Sequence, residues 1–139
     1  MRYLLMLLAL AGVVVSCLAL RVHYDTGSEP CSINEHWDCG VVNHSPYAEI
    51  QHIPVAAIGI AGYLLLAVLA FFRRRYLLLL AVFAAFCFAL RLTFIEEYAL
   101  HVWCLYCVIS QAVIALMLLC SLAWFTADYY ALSRTRSAS

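Results

Sequence analysis

The stretch VWCLYCVISQAVIALMLLCSLAWFTA, residues 102–127, decides the fold class because no charged side chain occurs in it. As a helix at about 1.5 Å per residue, it is longer than the ~30 Å hydrocarbon core of a bilayer, so it has room to tilt or project. Three further apolar stretches precede it: residues 3–20, 53–72 and 76–95. Of these, only the last carries a charge, Arg91. We therefore predict an all-α integral membrane protein, a four-transmembrane-helix bundle.

The composition excludes the soluble classes of protein. Of the 139 residues, 67% are hydrophobic and 12% are charged, against roughly half and a quarter in a soluble domain. A core of this size cannot hide that much apolar surface from water. The formal net charge is zero, so the chain lacks the basic footprint of a nucleic-acid-binding protein. We expect membrane lipid, and no nucleic acid, around this chain.

The arginines predict the orientation, since cytoplasmic loops carry the excess of Lys and Arg. If Met1 is inside, six arginines lie on the inner side: Arg2, Arg73, Arg74, Arg75, Arg134 and Arg136. The outer side then keeps two, Arg21 and Arg91. We therefore predict a multi-pass protein of the inner membrane with cytoplasmic N- and C-termini. Residues 21–52 become a long external loop.

We expect one transmembrane domain over residues 1–127 and a frayed, polar cytoplasmic tail over residues 128–139. A second interpretation of the first span is a bacterial lipoprotein signal, because Val14-Val15-Ser16-Cys17 loosely resembles one with lipidation at Cys17. Apolar residues follow at positions 18–20, where a lipoprotein normally begins a polar tether. We therefore interpret Cys17 as a small apolar residue inside a helix.

The seven cysteines divide into two groups by their position. Three lie inside predicted spans, where a thiol keeps its proton and is inert: Cys17, Cys87 and Cys120. Four lie on the predicted outer side, where thiols are oxidised: Cys31, Cys39, Cys104 and Cys107. These four are the candidate catalytic residues, arranged as a loop pair and a CxxC pair.

The CxxC pair, Cys104 and Cys107, opens the last span. A helix N-terminus stabilises a thiolate, which poises such a pair for disulfide exchange. A structural clip stays open as an alternative, although so short a closed loop stabilises a fold little. A metal site with His101 is disfavoured, because His101 and Cys107 lie about 120° apart around a helix and no second zinc-type ligand pair occurs. We predict no metal.

The loop pair, Cys31 and Cys39, is separated by seven residues that form a polar, acidic segment, which we expect to be mobile. Alone, this spacing fits a structural disulfide and a redox pair equally well. Beside an exposed CxxC on the same membrane face, the redox interpretation is favoured. Two disulfide-forming pairs within reach of each other would form a relay through a redox-active external loop.

In the order of its parts the chain resembles the vitamin K epoxide reductase family in its bacterial form. One span, a loop with two cysteines, two more spans and a CxxC opening the last follow one another over residues 3–126. Local matches are Ser45-Pro46-Tyr47 after Cys39, and Ile53-Pro54-Val55, Gly59 and Gly62-Tyr63 at the second span. The other quinone-linked thiol oxidase, of the DsbB type, places its CxxC before the second loop pair.

The resemblance implies a membrane thiol:quinone oxidoreductase that supports disulfide bond formation. A reduced thioredoxin-fold protein would attack the Cys31–Cys39 disulfide, and Cys39 would then attack Cys104. Cys107 would face a quinone, ubiquinone or menaquinone, as co-substrate. The thioredoxin-like domain that is fused to some bacterial relatives has no counterpart here, so we expect a separate periplasmic partner, a DsbA-type thiol oxidase.

Two departures from the vertebrate enzymes disfavour reduction of vitamin K epoxide. Gln111 stands where those enzymes have a tyrosine, and Val55 stands about where they have an asparagine. Epoxide reduction nevertheless stays open as a second candidate function. A non-catalytic membrane scaffold stapled by disulfides and a metal-binding protein also stay open as interpretations of the cysteines.

Several residues are weaker candidates for the site. Gln111, one turn below Cys107, needs a buried partner, which is a quinone carbonyl or another helix. Ser45 and Tyr47 are further candidates for a quinone pocket, although Ser45 before Pro46 also predicts the cap of a short helix.

Two further expectations concern residues near the membrane interface and in the external loop. We expect Arg91 to pair with Glu96 and Glu97 at the interface, or else to shape a proton path for quinol formation. Trp37 is a candidate for docking the loop on the bundle.

Overall fold

A computed structural model describes residues 1–25, 27 and 31–138. The long helices are α1 (Arg2–Tyr24), α3 (Val55–Phe71), α4 (Arg75–Ile95) and α5 (Leu105–Ser137). Between α1 and α3 lie the short helix α2 (Cys39–Asn43), a 3-10 turn (Pro46–Ala48) and a hairpin of strands β1 (Glu49–Ile50) and β2 (Ile53–Pro54). One π-helical turn, Glu96–Leu100, follows α4.

Three helices are long and apolar enough to cross a bilayer: Arg2–Tyr24, Arg75–Leu100 and Leu105–Ser137. Helix α3 is also apolar but has 17 residues, or about 26 Å at roughly 1.5 Å per residue. The predicted all-α membrane class is confirmed. The number of crossings, four, stays a prediction.

The observed helix bounds differ from the predicted spans for local reasons. Residues 53 and 54 belong to β2, which pairs with β1 across Gln51 and His52, so α3 begins at Val55. Helix α5 begins at Leu105 because Cys104 is extended and the main chain of Trp103 bonds to the loop.

The prediction of a frayed tail over residues 128–139 is wrong, since α5 continues to Ser137. Good helix formers such as Ala131 and Leu132 occur there. Arg134 lies in the last turn, where a cation favours the helix dipole. Asp128 forms an ion pair with Arg75 of α4, which ties this end of α5 to the bundle.

The bundle core is apolar and closely packed. Helix α1 packs mainly against α3 and α5, and α4 packs mainly against α5. Buried side chains of all four long helices meet there: Leu5, Ala9, Tyr63, Leu78, Val82 and Met117. Gly12 allows α1 to approach α3, because a methyl group at that position would run into the ring of Tyr63.

A cap made from the described part of the loop closes one end of the bundle. The main chains of Trp37 and Trp103 form a bridge, with hydrogen bonds from Asp38 N to Trp103 O at 3.1 Å and from Trp103 N to His36 O at 2.8 Å. The indole rings lie 6.2 Å apart. The expectation that Trp37 docks the loop is confirmed. The expected mobility of the loop stays a prediction.

Candidate active site

The candidate catalytic sulfurs meet beneath the cap. Cys31 and Cys39 form a disulfide, and Cys104 Sγ lies 3.3 Å from Cys39 Sγ. Cys39 and Cys104 have no solvent-exposed surface. The CxxC pair was expected to be exposed, and that expectation is wrong for Cys104, because the docked loop covers it. The fold therefore brings the loop pair and the CxxC pair to one end of the bundle.

Helix starts position the two sulfurs that face each other. Cys39 is the first residue of α2, whose preceding residue Asp38 accepts a hydrogen bond from Val41 N at 3.2 Å. Cys104 immediately precedes α5, and its carbonyl accepts the helical bond of Val108 N at 3.1 Å. As the CxxC spacing predicts, Cys107 then lies in the first turn of α5.

Glu96 is buried beside the CxxC pair, with 3% of its surface exposed. Its Oε2 accepts a hydrogen bond from Cys104 N at 3.2 Å, and its carboxyl group also interacts with the Cys107 thiol. The expected pairing of Glu96 with Arg91 is therefore wrong. The π-helical turn and the left-handed backbone of His101, with φ 54°, reverse the chain and bring Cys104 back to Glu96.

Asn43 is a site residue that sequence reasoning missed. Its Nδ2 donates to Cys39 O at 2.9 Å and to Cys104 Sγ at 3.5 Å. The main-chain carbonyl oxygen of Asn43 lies 2.6 Å from His23 Nδ1, which links α1 to the cap. The available signal was the i to i+4 spacing from Cys39 on a short helix, which places both residues on one face.

When the CxxC pair is reduced, a hydrogen bond favours the ionised form of Cys104. A hydrogen bond from the Cys107 thiol lowers the pKa of Cys104, although burial and the charge of Glu96 act in the opposite direction. A lower pKa raises the thiolate fraction of Cys104 and makes it a better leaving group in exchange. Cys104 is therefore the sulfur of this pair that is suited to react with Cys39.

A cavity of about 330 Å³ lies among the four long helices, next to the cap. Cys107, Glu96 and Asn43 line it at the cap end, together with Ser45 and Tyr47 of the loop. Of the predicted pocket residues, Ser45 and Tyr47 therefore border the cavity. The hydroxyl of Ser45 donates to Val42 O at 2.7 Å, so the short helix after it forms without a side-chain cap.

Gln111 lies outside the lining of this cavity. Its Oε1 is buried and has no hydrogen-bond partner among the described residues. Its predicted contact with a quinone is therefore not part of the site that the cavity defines.

The cavity fits a quinone ring. Its volume lies in the range of small-molecule pockets, roughly 300–1,000 Å³. Small residues of all four long helices make room for a flat ring, and a Cβ atom added at Gly62 would meet no atom within 4 Å. Polar side chains, among them Glu96, Asn43 and Ser45, line the cavity at the cap end together with Cys107. An apolar ring with a carbonyl directed at that end matches this distribution.

The remaining cysteines lie apart from this site. Cys17 and Cys87 are exposed on the surface of the helix bundle, and Cys120 is partly buried. Within residues 1–25, 27 and 31–138, no group of three His, Cys, Asp or Glu side chains is arranged to hold a metal ion.

Comparison with known proteins identifies the family. The model of the Vitamin K epoxide reductase family matches residues 3–122. None of the curated proteins matches the chain. Members of this family are membrane oxidoreductases that act on thiols and disulfides with a quinone, generally together with a thioredoxin-like partner. The matched range includes all four candidate catalytic cysteines, so the chain belongs to the vitamin K epoxide reductase family and is an oxidoreductase of this kind.

Proposed function

We propose that this enzyme passes electrons from a reduced periplasmic thioredoxin-fold protein through Cys31 and Cys39, then through Cys104 and Cys107, to a membrane quinone. The 3.3 Å separation between Cys39 Sγ and Cys104 Sγ is the observation that carries the proposal. Exchange requires direct attack of one sulfur on another, and these two sulfurs need little movement to react. The product of the relay is a disulfide in the partner protein.

The first exchange involves the loop pair. Two thiols of the partner become a disulfide, and the Cys31–Cys39 disulfide becomes two thiols, so two electrons and two protons enter the enzyme. The Cys39 thiolate then attacks Cys104 in an oxidised CxxC pair, which releases Cys107 as the leaving group. Cys31 attacks Cys39 in turn, which restores the loop disulfide and frees Cys104.

The residues around the sulfurs assist these steps. The amide of Asn43 stabilises negative charge on Cys104, which is the thiolate that leaves when Cys31 attacks. Cys107 and Glu96 border the cavity that would hold the quinone, which accepts two electrons and two protons when bound. Ser45 and Tyr47 would complete the polar end of this pocket. The docked loop excludes water from the exchanging sulfurs.

We place the protein in the inner membrane, with one transmembrane domain over residues 1–127 and the four cysteines on the periplasmic side. The arginine distribution supports this orientation. The bundle geometry is consistent with it, since residues 73–75 lie at the end away from the cysteines. An impermeant thiol reagent added to intact, reduced cells is the corresponding test. It should label a cysteine placed at Ser32 and spare one placed at Ser133.

The function is tested by quinone-dependent oxidation of a reduced DsbA-type protein by the purified enzyme in lipid nanodiscs. Cys104→Ser and Cys107→Ser should insert normally and lose this activity. Cys87→Ser is the matched control and should retain it, because its thiol faces away from the site. Activity that survives in either CxxC variant would contradict the relay.

A further inference from the structure

Glu96 is a buried acid that takes no part in the sulfur exchanges of the relay. It contacts both sulfur-bearing residues of the CxxC pair: its Oε2 accepts from Cys104 N at 3.2 Å, and its carboxyl group interacts with the Cys107 thiol. It also borders the cavity together with Cys107. In the part of the chain that the structure describes, no arginine or histidine forms an ion pair with it.

A capping role alone does not account for an acid at this position. Burying a carboxylate without a cation is costly, and the hydrogen bond from Cys104 N needs only an oxygen acceptor. A neutral glutamine provides such an acceptor at lower cost. What the acid adds is a proton acceptor in contact with Cys107, and this thiol must lose its proton whenever the CxxC disulfide forms.

We propose that Glu96 is a catalytic residue that takes the proton from Cys107 Sγ as the Cys104–Cys107 disulfide forms and holds it at the cavity edge. The inference rests on the proposed relay. In this step the sulfur–sulfur bond forms, and two electrons leave the pair for the quinone. The Cys107 proton passes to the quinone through the Glu96 carboxyl group. The second proton comes from water at the cavity mouth and balances the one that Cys104 releases to water on ionising.

The surroundings of Glu96 leave the two cysteines as its titrating contacts. The other titratable side chains that line the same cavity come from α1, the loop, α3 and α5: His23, Tyr47, Tyr63 and Tyr106. No hydrogen bond or ion pair joins any of these four to Glu96 among the described residues. A change in the protonation of this carboxyl group should therefore follow the redox state of the CxxC pair.

The first test is a single-turnover measurement. Reduced enzyme in nanodiscs is mixed with a soluble quinone and quenched, and the CxxC disulfide is quantified by alkylation after denaturation. Glu96→Gln should slow disulfide formation by about 100-fold, a typical contribution of a general base. Glu96→Asp should recover part of the rate. Glu97→Gln, the matched control at the neighbouring exposed position, should stay within about twofold of the unmodified enzyme.

The second test needs no quinone. Infrared difference spectra are recorded while a glutathione redox buffer oxidises the CxxC pair of the full chain. A band of a protonated carboxyl group should appear on oxidation, persist in Glu97→Gln and be absent in Glu96→Gln. An unchanged rate in Glu96→Gln, or the same band in that variant, would overturn the inference. If no CxxC disulfide forms in the unmodified enzyme, the relay itself fails, so the two failures are distinguishable.

Discussion

Replacing Asn43 by leucine should make the Cys104 thiol harder to ionise. The variant keeps the side-chain volume and removes the donor that lies 3.5 Å from Cys104 Sγ. A hydrogen bond to a charged group contributes about 1.5–3 kcal/mol, and because this bond is long we use the lower value. About 1.4 kcal/mol corresponds to a factor of ten in an equilibrium. At a pH below the pKa of Cys104, the thiolate population should therefore fall about tenfold.

The sign of the effect follows from the charge state that the bond favours. The amide N–H stabilises the thiolate, so its loss raises the pKa of Cys104 and shifts ionisation to higher pH. At a pH well above the pKa of Cys104 in both proteins, the variant and the unmodified enzyme should have the same thiolate fraction at Cys104. The variant also leaves the carbonyl of Cys39 without its 2.9 Å donor, which costs roughly 1–3 kcal/mol of stability. A lower thermal midpoint is therefore expected as well.

The assay is the ultraviolet absorbance of the thiolate during a pH titration of the reduced protein in nanodiscs. The spectrum of the same protein with Cys104→Ala is subtracted, which isolates the signal of this sulfur. Val41→Ala, an exposed position of the same short helix, is the control and should leave the curve in place. A folded Asn43→Leu protein whose titration curve coincides with that of the unmodified enzyme would refute the reasoning.

Three further variants test the cavity, the cap and the helix contact. Gly62→Leu should raise the KM for quinone at least tenfold in steady-state assays, because the new side chain enters space that is now open; an unchanged KM would count against the quinone site. Trp37→Ala should accelerate reduction of the Cys31–Cys39 disulfide by a small thiol severalfold, since an aromatic pair contributes about 0.5–1.5 kcal/mol; equal rates would contradict the docking role. Gly12→Ala should destabilise the bundle by about 1–3 kcal/mol through overpacking against Tyr63, measured as a lower denaturation midpoint, and full stability would disprove that contact.

The membrane class and the reactive cysteines could be predicted because their signals are local. An uncharged stretch such as residues 102–127 has one stable environment, and a CxxC at its start has few uses. The helix beyond Asp128 was also within reach of sequence reasoning, since helix propensity favours it. The prediction of a frayed tail relied on the polarity of residues 128–139 alone.

The roles of Glu96 and Asn43 could not be predicted, because they depend on contacts between distant segments. Glu96 reaches Cys104 only through a π-helical turn and a left-handed His101, neither of which has a sequence signature. Asn43 meets Cys104 across 61 positions of the chain, after the loop has docked. Acids and asparagines are common near a membrane interface, so neither residue type indicates a role in the site before the contacts of the folded chain are known.

The most direct test of the relay is a disulfide between the two sulfurs that face each other. In a Cys31→Ser, Cys107→Ser double variant, mild oxidation should join Cys39 to Cys104, because their sulfurs lie 3.3 Å apart. A Cys31→Ser, Cys104→Ser variant, which keeps Cys39 and Cys107, serves as the comparison and should form no such bond. Mass spectrometry of the digested protein identifies the linkage. A Cys39–Cys104 bond in the first variant alone is the predicted result, and its absence there would contradict the account.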